Sequence, residues 1–263
     1  MTRCANCLLF AWVLVVGWPA IAADVVVRLP QIGIIIDDLG YNQRQGTDAL
    51  ALPGPVAFSF LPHTPFAHAL ALKAGESNRD VLLHLPMEAV SGSHGMGPGG
   101  LIEAMSRETM LAVFADSLAS IPGAVAVNNH MGSLLTANAQ AMSWLMEAVT
   151  RHGELMFVDS LTTQNSQLAS QAALAAVPVL RRDVFLDVDR RHAAIDSQFD
   201  RLIRVAHERG WALAIAHPHQ ETLSVLRRRL SSLSRDGVQL VGLQVLYQTS
   251  LQRKSVWHAS LSR

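Results

Sequence analysis

The chain has 263 residues, half of them apolar, and its 21 Lys and Arg residues equal its 21 Asp and Glu residues. This even charge balance argues against nucleic acid or an anionic membrane surface as the main partner. The length and the apolar content are sufficient for one large domain with a substantial core.

The start of the chain is typical of a secretory signal peptide. Arg3 precedes an apolar run at 8–16, and Ala-Ile-Ala at 20–22 forms a cleavage motif of small residues. The run is shorter than the roughly 20 residues that a membrane-spanning helix needs, so cleavage is favoured over a stable membrane anchor.

We therefore expect residues 1–22 to be the signal peptide and residues 23–263 to be the mature domain. The protein would be exported, to a periplasm or to the exterior. Both cysteines, Cys4 and Cys7, lie in the leader. The mature chain would then use neither disulfides nor thiolate metal sites.

Beyond the leader, short apolar runs alternate with helical patterns. Most runs are too continuously apolar for a half-exposed strand, so we predict strands that are buried on both faces. The predicted strands are 33–37, 56–61, 81–85, 124–128, 155–159, 184–186, 212–216 and 239–243. Three segments show helical spacing, the first with Thr136 as its predicted N-cap. These helices are 136–153, 195–210 and 220–237.

Strand and helix alternate seven or eight times, which favours a parallel α/β fold and most simply a (β/α) barrel. A doubly wound open sheet is the alternative. The glycine-rich stretch 91–100 is predicted to be a long loop inside the domain, and we find no linker that would divide the chain.

Polar side chains follow almost every predicted strand. In parallel α/β folds the reactive face lies at the carboxyl ends of the strands, so these groups are expected to converge on one rim. They are Asp37 and Asp38; His84 and Glu88; Asn128, Asn129 and His130; Asp159 and Ser160; Arg181, Arg182, Asp183 and Asp187; and His217 and His219.

The adjacent carboxylates Asp37 and Asp38 raise the question of charge. Two carboxylates held close together repel each other unless a cation neutralises them. With no cysteine left, a divalent metal bound by Asp and His, zinc in particular, fits this chain. Successive strand residues point to opposite faces, so only one carboxylate is expected to bind the metal directly. The bland alternative is that the pair caps the following helix.

Six motifs, taken in order, resemble the divergent polysaccharide deacetylase family, an offshoot of the NodB-type carbohydrate esterases. They are IIIDDLG, VAFSFLPH, LLHLPMEA, NNHMGS, MFVDSLT and AIAHPH, and the resemblance extends over about 31–246. It implies a single-domain (β/α)7 barrel that removes N- or O-acetyl groups from sugars. It also implies a divalent metal held by one Asp and two His.

Mapped onto this chain, the resemblance makes Asp37 the general base and Asp38 a metal ligand. His84 takes the first position of the family's His-x-x-x-His motif, and His217 takes the place of the acid. The second metal His is replaced by Glu88.

The fourth predicted strand also departs from the family pattern, because residues 129–132 stand where an Arg-Pro pair is usual. We predict that His130 supplies the missing imidazole, which gives Asp38, His84 and His130 as the ligands. Glu88 is a further candidate ligand or a group that supports the ligands.

Four more residues are candidates with a structural alternative. Asp159 is expected to ligate the metal, to orient a ligand or to cap a helix. Asn129, Arg182 and His219 are predicted to contact substrate; Arg182 is equally open to a structural pair with Asp183.

The sequence therefore predicts a metal-dependent hydrolase that deacetylates envelope or extracellular polysaccharide, including peptidoglycan-type glycans. The main alternative is a glycan-binding or envelope-assembly protein that keeps the barrel but has lost turnover. A metal phosphoesterase is less favoured, because the chain lacks a glycine-rich phosphate loop. The sequence makes no prediction of the oligomeric state.

Overall fold

A computed structural model describes residues 29–261, with side chains through residue 252, so the predicted signal peptide and both cysteines lie outside the described residues. The strands are β1 Gln31–Leu39, β2 Ala57–Phe60, β3 Val81–Met87, β4 Ala124–Met131, β5 Met156–Asp159, β6 Val179–Arg181, β7 Val184–Phe185, β8 Trp211–Ala216 and β9 Gln239–Leu240. The helices are α1 Gln43–Leu50, α2 Ala67–Glu76, α3 Arg107–Ala119, α4 Ala139–Arg151, α5 Leu168–Leu174, α6 His192–Arg209, α7 Gln220–Leu230 and α8 Leu243–Leu261.

The nine strands form one parallel sheet in the order β6-β5-β4-β3-β2-β1-β8-β7, with β9 beside the start of β1. From β1 to β6 each new strand is added on the same side, which is the winding of a barrel and not the reversal at a doubly wound sheet. The predicted single-domain (β/α) barrel is confirmed. Within the described residues β6 and β7 are not paired, so the barrel is open at that seam.

The alternation of side chains along the strands creates an outer and an inner apolar layer. In β1, Ile34 and Ile36 pack outward beneath the helices, whereas Ile35 belongs to the inner cluster. The inner cluster also contains Leu213 of β8 and Leu246 of α8. Both faces of these strands are therefore buried, which explains why their sequences are continuously apolar.

Helix α8 closes the barrel at the amino ends of the strands. A Cβ on Gly33 would lie 2.8 Å from Cδ2 of Leu246 and 3.0 Å from Cδ1 of Leu213, so the glycine lets these two leucine side chains pack closely against β1. The carboxyl ends of the strands, at the opposite mouth, stay accessible. No helix in the described part of the chain is both long enough and apolar enough to cross a membrane.

Some predicted boundaries were wrong for local reasons. Thr136 does not cap α4: its hydroxyl donates to the Gly132 carbonyl within a 3-10 turn, and Asn138 accepts from the Ala141 amide as the true N-cap. The predicted strand 239–243 is shorter, because α8 begins at Leu243.

The closing contact of α8 can be tested with adjacent residues. Leu246 is fully buried against the inner cluster, and Leu246→Ala is expected to lower the free energy of unfolding by about 2–5 kcal/mol. Val245, on the same helix but about half exposed, serves as the control, and Val245→Ala is expected to cost less than about 0.5 kcal/mol. Urea unfolding followed by circular dichroism measures both; equal losses would contradict the closing role of Leu246.

Candidate metal centre

The inward-facing residues of five strands change from apolar to polar towards the carboxyl ends of the strands. Each polar residue stands two positions after an inner-cluster residue, and His217 does so directly after the end of β8, so the alternation that builds the inner layer also aims these side chains at the mouth. The pairs are Ile35 and Asp37, Ala57 and Ser59, Leu82 and His84, Ala126 and Asn128, and Ile215 and His217.

Asp38 would point outward if β1 continued as a regular strand. Its φ of 59° lies in the left-handed region and redirects the chain, so that the carboxylates of Asp37 and Asp38 both come near Nε2 of His84. The turn is completed by Gly40, where a Cβ would lie 2.0 Å from Oγ1 of Thr64. Glycine at position 40 is therefore a steric requirement of the turn.

Asp38, His84 and His130 form a compact group of three ligand atoms. Oδ1 of Asp38 lies 3.1 Å from Nε2 of His84 and 3.0 Å from Nδ1 of His130, and the two nitrogens are 3.2 Å apart. Atoms bound tetrahedrally to zinc at 2.0–2.1 Å are separated by about 3.3 Å, so this triangle nearly matches one face of a zinc site.

The chemistry of the group also fits a cation. Oδ1 of Asp38 is buried, and it is one of two such side-chain atoms in the described part of the chain that have no hydrogen-bond partner. Both imidazoles are near it, but neither contact has the direction of a hydrogen bond. Although burial opposes ionisation, the imidazoles of His130 and His84 hold the pKa of Asp38 well below its usual range. The residues therefore fit a divalent metal held by one carboxylate and two imidazoles.

His84 is oriented from behind. Its Nδ1 lies 2.9 Å from Oδ1 of Asn128, so Nδ1 carries a proton and Nε2, which faces Asp38, is the nitrogen available to bind a metal. In His130 the two nitrogens exchange places: Nδ1 faces Asp38, and Nε2 faces the Gly95 carbonyl at 3.4 Å.

Asp37 lies beside this group without joining it. Its carboxylate accepts from Nδ2 of Asn128 at 2.9 and 3.1 Å, and its Oδ2 lies 3.7 Å from Nε2 of His84. Burial raises the pKa of Asp37, and the charges of His84 and His217 offset only part of the rise. The surroundings therefore raise the pKa of Asp37 and lower the pKa of Asp38, although the two residues are adjacent.

His217 approaches the group from the other side. Its Nε2 lies 3.6 Å from Oδ2 of Asp38, and its Nδ1 lies 3.0 Å from Oδ1 of Asp187. Burial disfavours the charged imidazole, but Asp187 outweighs it and raises the pKa of His217 to about 9. The other oxygen of Asp187 accepts from the His217 amide and from the Thr222 hydroxyl, which fixes the carboxylate.

The two further acidic candidates lie apart from the three ligand atoms. Oε2 of Glu88 accepts from the Glu103 amide at 2.7 Å and so holds the long loop that follows β3. Asp159 stands on the outward alternation of β5, two residues after Phe157, and its Oδ1 accepts from the Leu161 amide at 2.8 Å.

Two of the predicted substrate residues line the cleft at this mouth, but most of their polar atoms form hydrogen bonds with backbone groups. Asn129 accepts from the Ser160 amide and donates to the Met131 carbonyl. Arg182 donates to the carbonyls of Ser160 and Leu161 and stacks over the ring of Phe185.

His219 precedes α7. It forms a second potential ligand group with Asp187 and His217, although both oxygens of Asp187 already accept hydrogen bonds.

The cleft has a volume of about 340 Å³ and is lined by Asp37, His84, His130 and His217, with Phe185 as one apolar wall. A larger cavity of about 560 Å³ lies at the amino ends of the strands and contains none of these imidazoles. We therefore assign the chemistry to the smaller cleft.

Sequence reasoning did not assign a role to three residues of this site. Asn128 and Asp187 were noted only as polar strand ends, and Ser59 was not noted. The available signal was their place two residues after an inward apolar residue for Ser59 and Asn128, whereas the Asp187–His217 contact depends on the packing of a loop against β8.

The curled parallel sheet, with an Asp–His–His group at the carboxyl ends of its strands, defines a NodB-like (β/α) protein. A family model described as divergent polysaccharide deacetylase matches residues 34–247, and the chain belongs to this family. The curated relative YibQ of Escherichia coli K12, described as uncharacterized, is 36% identical over 231 residues, which are 88% of this chain and 70% of YibQ.

Solved structures agree on the fold. An uncharacterized protein of Agrobacterium tumefaciens superposes with a TM-score of 0.80 at 23% identity, covering 84% of this chain and 90% of that one. A variant of the peptidoglycan deacetylase PdaC of Bacillus subtilis gives 0.54 at 14% identity, covering 89% and 97%. A mutant of BA3943 of Bacillus anthracis, described as a CE4 family pseudoenzyme with restored enzymatic activity, gives 0.50 at 13% identity, covering 83% and 68%. The fold is that of polysaccharide deacetylases, pseudoenzymes included.

The ligand geometry predicts metal retention that depends on three side chains. After incubation with Zn²⁺ and desalting, the protein is expected to retain about one ion per chain, as a single three-ligand site implies. Asp38→Ala, His84→Ala and His130→Ala are each expected to abolish retention, as measured by mass spectrometry of the metal.

Glu88→Gln is the matched control. Glutamine can still accept from the Glu103 amide, so this variant is expected to retain the ion. Loss of metal from Glu88→Gln equal to that from His130→Ala would instead make Glu88 a ligand.

Proposed function

We propose that the protein is a metal-dependent deacetylase that hydrolyses the acetyl amide or ester of an envelope or extracellular polysaccharide. The observation that carries this proposal is the buried, unpartnered Oδ1 of Asp38, 3.0–3.1 Å from a nitrogen of each of two imidazoles. A second carboxylate and a third imidazole flank it, as hydrolysis of an acetyl group requires. We further propose zinc as the ion, and export by way of residues 1–22.

A divalent ion bound by Asp38, His84 and His130 supplies Lewis-acid polarisation of the acetyl carbonyl and makes water more acidic. Asp37 lies next to these ligands with its carboxylate oriented by Asn128, so it is placed to take a proton from the attacking water. His217, on the opposite side of Asp38, is placed to give a proton to the leaving amine or alkoxide.

The substrate class rests on family and fold. One fold neighbour is named a peptidoglycan deacetylase, and the cleft of this chain is open at the rim, so a residue within a long chain can reach it. Muramic- or glucosamine-type residues of a cell-wall glycan are therefore the proposed substrates. Acetate release from N-acetylated and from O-acetylated substrates distinguishes the two bonds.

One observation favours a second candidate, a glycan-binding or envelope-assembly protein without turnover. The position four residues after His84 is Glu88, and its carboxylate is engaged with a loop amide. A fold neighbour is also described as a pseudoenzyme. His130 offers a replacement imidazole, and we therefore rank the enzyme first.

Acetate release tests the function. The zinc-loaded protein is expected to release acetate from acetylated chitooligosaccharides or peptidoglycan fragments, and Asp37→Asn is expected to lower kcat at least about 100-fold by removing the base. Asp116→Asn is the same change at an exposed carboxylate and is expected to leave kcat unchanged. Bound metal with no release from any of these glycans would support the binding role instead.

The role of Asp187 gives a separate test. Asn in its place turns an amide towards Nδ1 of His217, so the imidazole loses its carboxylate partner. Asp187→Asn is expected to lower kcat at least about 10-fold while the metal content stays at the wild-type level. Metal analysis alongside acetate release separates these effects; a parallel loss of metal would show that Asp187 supports the ligands and not the acid.

A further inference from the structure

Asn128 is a polar side chain that lies between Asp37 and His84 and contacts both of them. It lies on the inward face of β4, is fully buried, and stands level with His84 in the register of β3 and β4. Its amide contacts Asp37 on one side and His84 on the other. A third neighbour, Ser59, reaches the same amide from β2.

The orientation of this amide follows from what its neighbours can donate. The carboxylate of Asp37 only accepts, so the group that faces it at 2.9 and 3.1 Å must be the Nδ2 amine. The Ser59 hydroxyl, 2.5 Å from the other end, donates to Oδ1. A flipped amide would set its oxygen against two oxygens of the ionised carboxylate, so the ionised form of Asp37, which a base requires, fixes this orientation.

This orientation decides the state of His84. Because Oδ1 of Asn128 only accepts, Nδ1 of His84, 2.9 Å away, must carry a proton. In the neutral imidazole Nε2 then carries the lone pair, directed towards Asp38 and His130, and this is the form that binds a metal.

We propose that Asn128 is a positioning residue that orients Asp37 and the ligand His84 at once, through opposite ends of one side-chain amide. The part that concerns Asp37 rests on the proposed deacetylase function, whereas the part that concerns His84 rests on metal binding alone. Asn128 itself is fully buried and does not line the cleft. Its two ends make the base and the ligand share one rigid support, which is buried in the barrel.

Two substitutions distinguish the contact of Asn128 with His84 from its contact with Asp37. Asn128→Asp keeps an oxygen for the His84 proton but replaces the donor to Asp37 with a second carboxylate oxygen. Metal affinity is expected to stay within about threefold of wild type, because a carboxylate also accepts from a ligand imidazole. The value of kcat is expected to fall at least about 100-fold with little change in KM, because Asp37 loses its orienting donor.

Asn128→Leu removes both the oxygen that accepts from His84 and the amine that donates to Asp37. Because the Nδ1 proton of His84 then has no partner, zinc affinity is expected to fall about 10- to 100-fold. Asn42→Asp is the charge control: Asn42 is an exposed N-cap whose oxygen accepts from the Gln45 amide, and aspartate makes the same contact. Thermal unfolding of each metal-free variant checks that it is folded.

The wild-type protein provides a readout that needs no variant. In the zinc-loaded, ¹⁵N-histidine-labelled protein, two-bond ¹H–¹⁵N correlations are expected to show His84 protonated at Nδ1. A His84 without that proton would overturn the proposal. Equal loss of zinc from Asn128→Asp and Asn128→Leu would also overturn it, as would an Asn128→Asp protein with kcat within about threefold of wild type.

The outcomes also distinguish this proposal from the deacetylase function. If the wild-type protein binds zinc but releases no acetate, the proposed function and the Asp37 half fail together. The His84 half is then still decided by the proton at Nδ1 and by the zinc affinities of the two variants.

Discussion

The structure depends on how a buried strand ends in two adjacent negative charges. Asp37 and Asp38 need compensation, and the fold gives it to them in different ways. Asp37 stays in the strand register and receives a neutral amide at both oxygens. Asp38 itself has a left-handed backbone conformation, which takes it out of the strand register, and both of its oxygens lie near imidazoles. In the proposed function one carboxylate serves proton transfer and the other binds a cation, although the two are neighbours in the sequence.

Much of this arrangement could be predicted from local sequence, because it follows from alternation. Continuous apolar runs indicated buried parallel strands, and the polar residues at their ends indicated a common rim. Those inferences located Asp37, Asp38, His84 and His217 at one mouth of the barrel, where the structure has them. His130 was placed by the same reasoning, two residues beyond Asn128 on the inward face of β4.

The remainder depends on contacts between segments that lie far apart in the chain. Glu88 holds the Glu103 amide because the glycine-rich loop returns past the end of β3, and no local pattern indicates that return. In the sequence Ser59 is an ordinary polar residue within a short strand, and only the sheet brings its hydroxyl to 2.5 Å from Oδ1 of Asn128. Asp159 was placed at the rim by its position at a strand end, but the alternation along β5 turns its side chain outward, where it accepts from the Leu161 amide.

The source of the second imidazole has a further consequence for stability. The family pattern takes two histidines from one short stretch, His-x-x-x-His, whose spacing is kept by local backbone alone. In this chain the proposed ligands come from β1, β3 and β4, so the distances of 3.0–3.2 Å between them depend on the register of the sheet. A ligand set that is divided among strands exists only when the sheet is formed, and binding energy at such a site is therefore also folding energy. The metal centre and the barrel would then stabilise each other. Asn128, which connects β4 to both β1 and β3 beneath the ligands, lies where this coupling acts.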